Sequence, residues 1–376
     1  MRISIDGRYI RDHFPGIGRY TYHLIEALAP LCSHDTLIVL HNPALLNTRY
    51  DLSALARHPN VELHQIDMPT FSIAEQIVLP WIARRLSLDL LHSPYYIKPY
   101  WLPCPSVVTV YDLIPARYPQ SLPSPWARLA FKVTTRLALA SARQVITLSQ
   151  ASQQDLSELY GVPETRTRVT YLAADERFRP QGAERVTAVR RTYHLPEKYV
   201  LYLGINKPHK NLVRLIDAFS RLTFDVSRFT LVIAGHWDQR YPEVKRRVEE
   251  LDLQDRVIFL GPVPEADLPA LYSGATLFVF PSLYEGFGLP VLEAMACGVP
   301  VICSNTSSLP EVAGDAAIMV NPLDVDELAA AMERVLEDPA LREEMAGKGT
   351  MQASKFSWER TARETLGVYE SVVRSR

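Results

Sequence analysis

At 376 residues the chain exceeds what one ordinary core organises and accommodates two domains. Hydrophobic residues make up 47 % and charged residues 22 %, a soluble globular composition. The formal net charge of −2 excludes a global attraction to nucleic acid, so any electrostatic partner must be met by a local patch.

The four cysteines, Cys32, Cys104, Cys297 and Cys303, form no C-x-x-C pair and no zinc spacing with the histidines. Free buried thiols in a reducing compartment are the expectation. The opening MRISIDGRY alternates in polarity and lacks the apolar core of a signal peptide. No apolar run approaches the ~18 residues that cross a bilayer. The expected location is cytoplasmic, with peripheral attachment to the inner face of the plasma membrane as the furthest departure from it.

In chain order, Arg2 to Ile5 reads as a strand, and Phe14 to Tyr20 as a glycine loop containing Gly16 and Gly18. Tyr20 to Ala29 then reads as a helix stopped by Pro30. Further strands are predicted at 36–40, 61–63, 88–92, 107–111 and 144–148. The polar stretch Phe178 to Gly182 reads as a linker, which closes a first domain at residues 1–180. A second alternation follows in residues 181–355, with strands at 199–203, 230–234, 257–260, 276–280, 299–303 and 317–320. Two consecutive α/β units joined by a hinge predict two Rossmann-like domains whose parallel sheets face a cleft. Ligands of such sheets bind beyond the carboxyl ends of the strands.

The most informative segment is FPSLYEGFGLPVLEAMACGVP, Phe280 to Pro300. A strand ends at Phe280, a loop carries Glu285, Gly286, Phe287 and Gly288, and Pro290 suits the first turn of a helix. Glycines let backbone approach a ligand, and a helix start offers N–H groups to an anion. Glu285 on the loop and Glu293 in the predicted first turn can serve one ligand that bears both hydroxyls and phosphates. Taken singly, Glu293 could merely complement the helix dipole and Glu285 could be a solvated loop residue. The full string E-G-F-G-x-P-x-x-E argues against that.

This string resembles the E-x7-E motif of retaining GT-B glycosyltransferases, in particular glycosyltransferase family 4. The similarity extends through LYLGINKPHKNL upstream and SLPEVAGDAAIMVNP downstream, covering the second domain well and the first loosely. The resemblance implies a GT-B fold, with Glu285 contacting the donor sugar and Glu293 the ribose. The amides of Phe287, Gly288 and Leu289 would hold the sugar or diphosphate. It also implies that a last helix, within residues 356–376, packs back on the first domain.

Upstream, Tyr202 to Gly204 ends a strand, Asn206 and Lys207 lie on the following loop, and Asn211 suits a helix N-cap. Lys210 therefore stands beside a strand end and a helix start, where a diphosphate would be favoured, though by its own position the lysine reads equally well as a solvated surface charge. In similar proteins this lysine neutralises the departing diphosphate together with an arginine. Here Ile205 and His209 occupy the places where that arginine is sought, and Lys207 is the available substitute. Backbone groups around Gly261 to Val263 would read the base.

In the first domain the Gly16–Gly18 loop fails as a dinucleotide fingerprint, because Thr21 stands at the third glycine position. In similar enzymes this loop faces the diphosphate; a plain turn is the alternative. Asp112 ends the strand that begins near Val107 and would face the sugar or acceptor, with Tyr111 where the family often has histidine. From Leu113 to Gln154 there is no acidic residue, while Arg128, Lys132 and Arg136 recur every fourth position on a helix beginning near Trp126. That stripe is either a solvated face or a docking site for anionic lipid. Asp324-Val325-Asp326 spells a metal-binding D-x-D, but Asp324 with Glu327 three residues on reads as a capping box. No bound metal and no cofactor are expected.

The function implied is a retaining hexosyltransferase, first for mannose, with GDP-mannose as the leading donor and a UDP-sugar second. Its acceptor would be a glycan or a lipid-linked glycan in polysaccharide or glycolipid synthesis. Glu285, Lys210 and Asp112 are the candidate catalytic groups. The alternative is a catalytically silent sugar-nucleotide-binding subunit. A nicotinamide dehydrogenase is disfavoured by the missing fingerprint.

Overall fold

The structure, a computed structural model, describes residues 1–222 and 229–375. The chain divides into two compact units, Met1–Leu172 with Ser357–Arg376, and Ala173–Phe356. The division falls ahead of the polar stretch read as a linker. Phe178 is buried there against Tyr272, with ring centroids 6.0 Å apart, so that stretch already packs within the second unit.

The first unit is built on a seven-stranded parallel sheet in the order β3-β2-β1-β4-β5-β6-β7. Its strands are β1 (Arg2–Asp6), β2 (Thr36–His41), β3 (Val61–Gln65), β4 (Leu90–Ser93), β5 (Ser106–Val110), β6 (Gln144–Thr147) and β7 (Thr167–Val169). The three-residue β7 has too little pattern to be read from sequence. Leu37 to Leu40, Val107, Val108, Val145 and Ile146 are buried, as near-continuous apolar strands are when helices cover both faces. The chain steps one way along the sheet from β1 to β3, then returns to β4 and steps the other way. Right-handed crossovers therefore put the helix Pro15–Leu31 on one face and the helices Glu75–Arg85, Pro125–Ser141 and Gln150–Tyr160 on the other.

The first helix is longer than its sequence pattern indicates. It begins at Pro15, takes the expected glycine loop as its first turn and carries Pro30 inside its last turn. Pro30 forfeits only its own bond, since the Cys32 N–H still reaches the Leu28 carbonyl at 3.0 Å. The last helix, Trp358–Arg374, packs against this first helix within the same unit. A buried polar chain fixes it: His92 Nδ1 lies 2.6 Å from the Tyr369 hydroxyl and His92 Nε2 lies 2.8 Å from Thr109 Oγ1. Burial pushes the His92 pKa down to about 3, so the ring is neutral, one nitrogen donating and the other accepting.

The second unit is a six-stranded parallel sheet in the order β10-β9-β8-β11-β12-β13. These are β8 (Tyr199–Leu203), β9 (Thr230–Ala234), β10 (Val257–Gly261), β11 (Leu277–Phe280), β12 (Val301–Ser304) and β13 (Ile318–Val320), at the predicted positions. All four cysteines are free and buried. Among the described residues no helix is long and apolar enough to cross a membrane.

Candidate functional site

In the second sheet β8 lies between β9 and β11, so the chain turns to one side after β8 and to the other after β11. Loops leaving a parallel sheet at such a switch point diverge and open a crevice at the carboxyl edge. The loop after β8 carries Asn206, Lys207 and Lys210, and the loop after β11 carries Glu285 to Gly288. Across the switch point Lys210 Nζ donates to Glu285 Oε1 at 2.6 Å. The ammonium also lies 5.3 Å from the centroid of the Phe280 ring at the end of β11. Both side chains are nearly withdrawn from water, at 15 % and 10 % exposed.

Local sequence explains why the pair meets. Asn211 occupies the N-cap position of the helix Leu212–Ser220, but its side chain does not cap it. Its backbone is left-handed (φ 62°), which asparagine tolerates better than most residues. Its Nδ2 instead donates to the carbonyls of Pro281, 3.0 Å away, and Pro322, 2.7 Å away. The loop after β8 is thereby tied to the loop after β11, and Lys210 is held opposite Glu285. On the other side, the Glu285 N–H donates to Ser307 Oγ at 2.9 Å. The buried Ser308 hydroxyl lies 3.0 Å from the Glu285 carbonyl and 2.7 Å from that of Phe287.

Gly288 begins the helix Leu289–Ala296 with φ 113°, and a Cβ there would meet Leu309 Cδ2 at 2.7 Å. That backbone favours glycine, and any side chain there would also have to displace the Leu309 methyl. At the helix start Pro290 has no N–H, and the Val291 and Leu292 N–H groups reach the Gly288 carbonyl at 3.0 and 3.3 Å, so an anion would be met by the amides of Gly288 and Leu289. Glu293 lies beyond the first turn, contrary to its sequence-based placement, because the helix starts at Leu289. The helix dipole acts mainly on the first turn, so it does not account for this carboxylate. Glu293 is 3 % exposed and accepts a hydrogen bond from the Tyr272 hydroxyl at 3.0 Å.

The remaining second-unit candidates differ in what they can offer. Asn206 spends its amide within the protein: Nδ2 donates to the Asp238 and Tyr241 carbonyls, and Oδ1 accepts from the Asp238 N–H at 2.6 Å. It shapes the loop after β9. His209 is buried, and its pKa falls to about 3 through burial first and the charges of Lys210 and Lys207 second. It is neutral and cannot replace an arginine. Lys207 is half-buried, ahead of the turn Pro208–Lys210. Val263 is half-buried just past β10, where Gly261 takes φ 76° and accepts from the Gly235 N–H at 2.8 Å.

The other candidates belong to the first unit. Gly16 and Gly18 sit in the first turn of the helix Pro15–Leu31, and a Cβ on Gly18 would come within 3.1 Å of the Tyr9 carbonyl. Asp112 Oδ1 accepts from the Ile114 N–H at 2.9 Å, closing the turn after β5. Arg128, Lys132 and Arg136 are exposed on the helix Pro125–Ser141, which Ser124 caps. Asp324 caps the helix Val325–Glu337 by accepting from the Glu327 N–H at 2.9 Å, while Glu327 reaches back to Asn321 N–H rather than to that of Asp324. Asp326 pairs with Arg221. Among the described residues no three His, Cys, Asp or Glu side chains are grouped to hold a metal.

Sequence reasoning missed Tyr272, Ser307 and Ser308, which position the two glutamates. The serines lie just upstream of the helix Leu309–Ala313, and only their distance from Glu285 in the chain concealed them.

Residues 190–351 match the family described as Glycosyl transferases group 1, and residues 15–178 match Glycosyltransferase Family 4. The chain is 32 % identical to O-antigen chain mannosyltransferase B of Escherichia coli, over 98 % of this chain and all of the relative. Sucrose-phosphate synthase from Thermosynechococcus elongatus superposes over all of both chains with a TM-score of 0.79 at 22 % identity. The Anabaena protein Alr3699/HepE, solved in complex with UDP and glucose, superposes with a TM-score of 0.74 at 22 % identity, over 99 % of this chain and all of its own.

Proposed function

Since this chain belongs to glycosyltransferase family 4 and has the GT-B fold, we propose that it is a retaining, metal-independent hexosyltransferase acting in polysaccharide or glycolipid synthesis. It would take the sugar, mannose first, from a nucleotide-diphosphate sugar and pass it to a glycan or lipid-linked acceptor. The observation that carries this reading is the Lys210–Glu285 pair at 2.6 Å across the switch point, beside the glycine-opened helix at Gly288. Mannose is favoured by the relative named a mannosyltransferase, and GDP-mannose is accordingly the first donor. A UDP-sugar is the second, the nucleotide of a structural neighbour being UDP.

In this mechanism the bond between the anomeric carbon and the phosphate oxygen breaks, and the sugar passes through an oxocarbenium-like state. Lys210 and the backbone amides of the Gly286–Leu289 stretch would stabilise the charge gathering on the diphosphate. Lys207 is the second cation. Glu285 would orient the sugar hydroxyls and Glu293 the ribose. The acceptor hydroxyl attacks from the face the phosphate leaves, and its proton passes to the departing phosphate oxygen. Asp112 and the Gly16–Gly18 turn are assigned to the acceptor and diphosphate. The stripe Arg128, Lys132 and Arg136 is assigned to electrostatic contact with an anionic membrane at the cytoplasmic face.

Thermal melts with GDP, UDP, ADP and NAD, beside a Glu293→Ala variant, test the donor site. A nucleoside diphosphate at a hundredfold its dissociation constant stabilises by ~2.7 kcal/mol, a shift of several degrees. The expected result is a shift with one diphosphate that shrinks in the variant. A shift with NAD alone would overturn the reading. Binding without transfer or slow donor hydrolysis would leave a silent binding subunit.

A further inference from the structure

We propose that Tyr9, Phe14, Phe71 and Tyr95, at the carboxyl edge of the first sheet, form an aromatic platform on which the terminal pyranose ring of the acceptor stacks. The proposal rests on the sugar-transfer reading above and adds what that reading leaves open. The acceptor is recognised through a sugar ring, not through a lipid or a phosphate.

In the first sheet the switch point falls between β1 and β4, since the chain runs to β2 and β3 on one side and from β4 to β7 on the other. Tyr9 and Phe14 lie on the connection after β1, Tyr95 on that after β4, and Phe71 on that after β3. These connections are tied to one another. The Tyr9 hydroxyl donates to the Ile97 carbonyl at 3.2 Å, and Arg11 Nη2 donates to Thr70 Oγ1 at 2.9 Å. The four rings therefore meet at the crevice that such a switch point opens.

Tyr9, Phe14 and Tyr95 are inclined to one another by only 31–45°, with centroids 5.5–6.2 Å apart. Phe71 stands at 60–90° to all three, at 5.7–6.2 Å. Three rings thus make a floor, and Phe71 makes a wall that is 44 % exposed. An aromatic corner suits a pyranose, whose C–H groups form an apolar, electropositive face attracted to ring faces. The sugar hydroxyls need polar partners at the rim. The Tyr95 hydroxyl donates to that of Tyr96 at 2.7 Å. Its pKa is pushed up to about 12 by burial first, against the bond to Tyr96 and with the Asp112 charge adding to the rise. The Asp112 carboxylate is therefore within electrostatic reach of the platform, as an acceptor for sugar hydroxyls. Arg11, whose guanidinium lies 4.6 Å from the Phe14 centroid, supplies donors.

Packing alone does not account for Phe71. Its backbone is left-handed, with φ 68°, an outlier for a bulky residue. A buried chain of charges holds it there. The Phe71 N–H bonds to the Glu75 carboxylate, and Arg8 Nη1 lies 3.2 Å from Glu75 Oε1. Arg8 in turn donates to both oxygens of Asp6, at 2.8 and 2.7 Å. Asp6, Arg8 and Glu75 are all buried. Buried charges and a strained backbone both cost stability, and what they fix in place is a ring left largely open to water. Strain held by its surroundings in this way belongs to ligand clamps rather than to cores.

The test is saturation-transfer NMR of the full chain with the methyl α-pyranosides of mannose, glucose, galactose and N-acetylglucosamine, beside Phe71→Gly and Phe71→Tyr. Glycine removes the ring and accepts the left-handed backbone without strain, while tyrosine keeps the ring. The expected result is transfer to the ring C–H protons of at least one sugar. Binding should weaken about tenfold in Phe71→Gly and stay within about twofold of the parent in Phe71→Tyr. Thermal shifts with GDP and UDP should match the parent in both variants, since Phe71 belongs to the first unit and the donor residues to the second. A diphosphate shift without any sugar binding would overturn the platform and leave the donor reading standing. Sugar binding that follows Phe71, without any diphosphate shift, would overturn the transfer reading and the acceptor role with it. Sugar binding unchanged in Phe71→Gly, or lost equally in both variants, would overturn the stacking.

Discussion

Replacing Lys210 by methionine removes the ammonium that lies 2.6 Å from Glu285 and leaves a nearly buried carboxylate without that partner. Breaking a buried ion pair from one side costs about 3–5 kcal/mol, and the residual exposure of both side chains puts this case near about 3. A unit of this size loses roughly 2–4 °C of Tm per kcal/mol, so the second unit should melt about 6–12 °C lower. Glu285→Gln keeps an acceptor for the ammonium and should cost about 1–2 kcal/mol. The double variant leaves no stranded charge and should lie within about 1 kcal/mol of the parent, a coupling of at least ~2 kcal/mol. Unfolding followed by the fluorescence of Trp237, which lies in the second unit, reads the cycle. Nucleoside diphosphate affinity provides a separate reading. Lys210→Met should weaken it about tenfold or more, while Glu285→Gln, which frees the ammonium, should leave it equal or tighter. Additive losses to within about 0.5 kcal/mol would show that the two side chains are not paired in solution. Equal weakening of diphosphate binding in both single variants would refute the division of labour between them.

Gly288→Ala meets both a φ of 113° and a contact of 2.7 Å with Leu309, so it should destabilise by about 2–4 kcal/mol and erase nucleotide-induced stabilisation in the same melts. Tyr369→Phe removes the hydroxyl 2.6 Å from His92 and strands a buried ring nitrogen; a loss of about 1–3 kcal/mol is expected, with faster amide exchange in the last helix. Burial pushes the pKa values of His92 and His209 down to about 3, below the ordinary 6.5 of an unfolded chain. The folded state thus binds fewer protons, so stability is full above about pH 6.5 and falls as the pH drops towards 3. A urea midpoint unchanged between pH 7 and pH 4.5 would refute that assignment.

The second sheet was legible to within a residue or two because each strand is a short apolar run bounded by Gly, Pro or polar turns. The first helix was misjudged at both ends for a local reason. Glycines and proline are breakers in isolation, yet Pro15 is preset for a first turn and Pro30 falls where one bond is dispensable. Glu285, Gly288 and Lys210 could be named because the full string around them resembles a known motif; taken singly, their types leave a solvated loop or surface charge equally open. Their supports could not. Asn211 has the type and place of a cap, and only the approach of Pro281 and Pro322 turns its amide to another use. Tyr272 and Ser308 contact the glutamates over long separations in the chain, which no local pattern encodes.

The resting pair bears on why a lysine destined for a diphosphate can be built into a nearly closed position at all. An ammonium withdrawn from water without a counter-ion would bear an uncompensated desolvation cost or force the loop outward. Glu285 supplies the counter-ion from the opposite loop, and Asn211 fixes the distance between the loops independently of the charges. On the proposed reading the diphosphate enters in exchange for that carboxylate, which then turns its oxygens to the sugar hydroxyls. The first glutamate of the motif would thus hold the cation ready in the empty protein and orient the sugar in the loaded one. Each role needs an acceptor at the same point, which an amide could meet in part, but only a carboxylate also balances the charge. The Glu285→Gln variant should therefore lose more in transfer than in diphosphate binding, a separation that a purely structural ion pair would not produce.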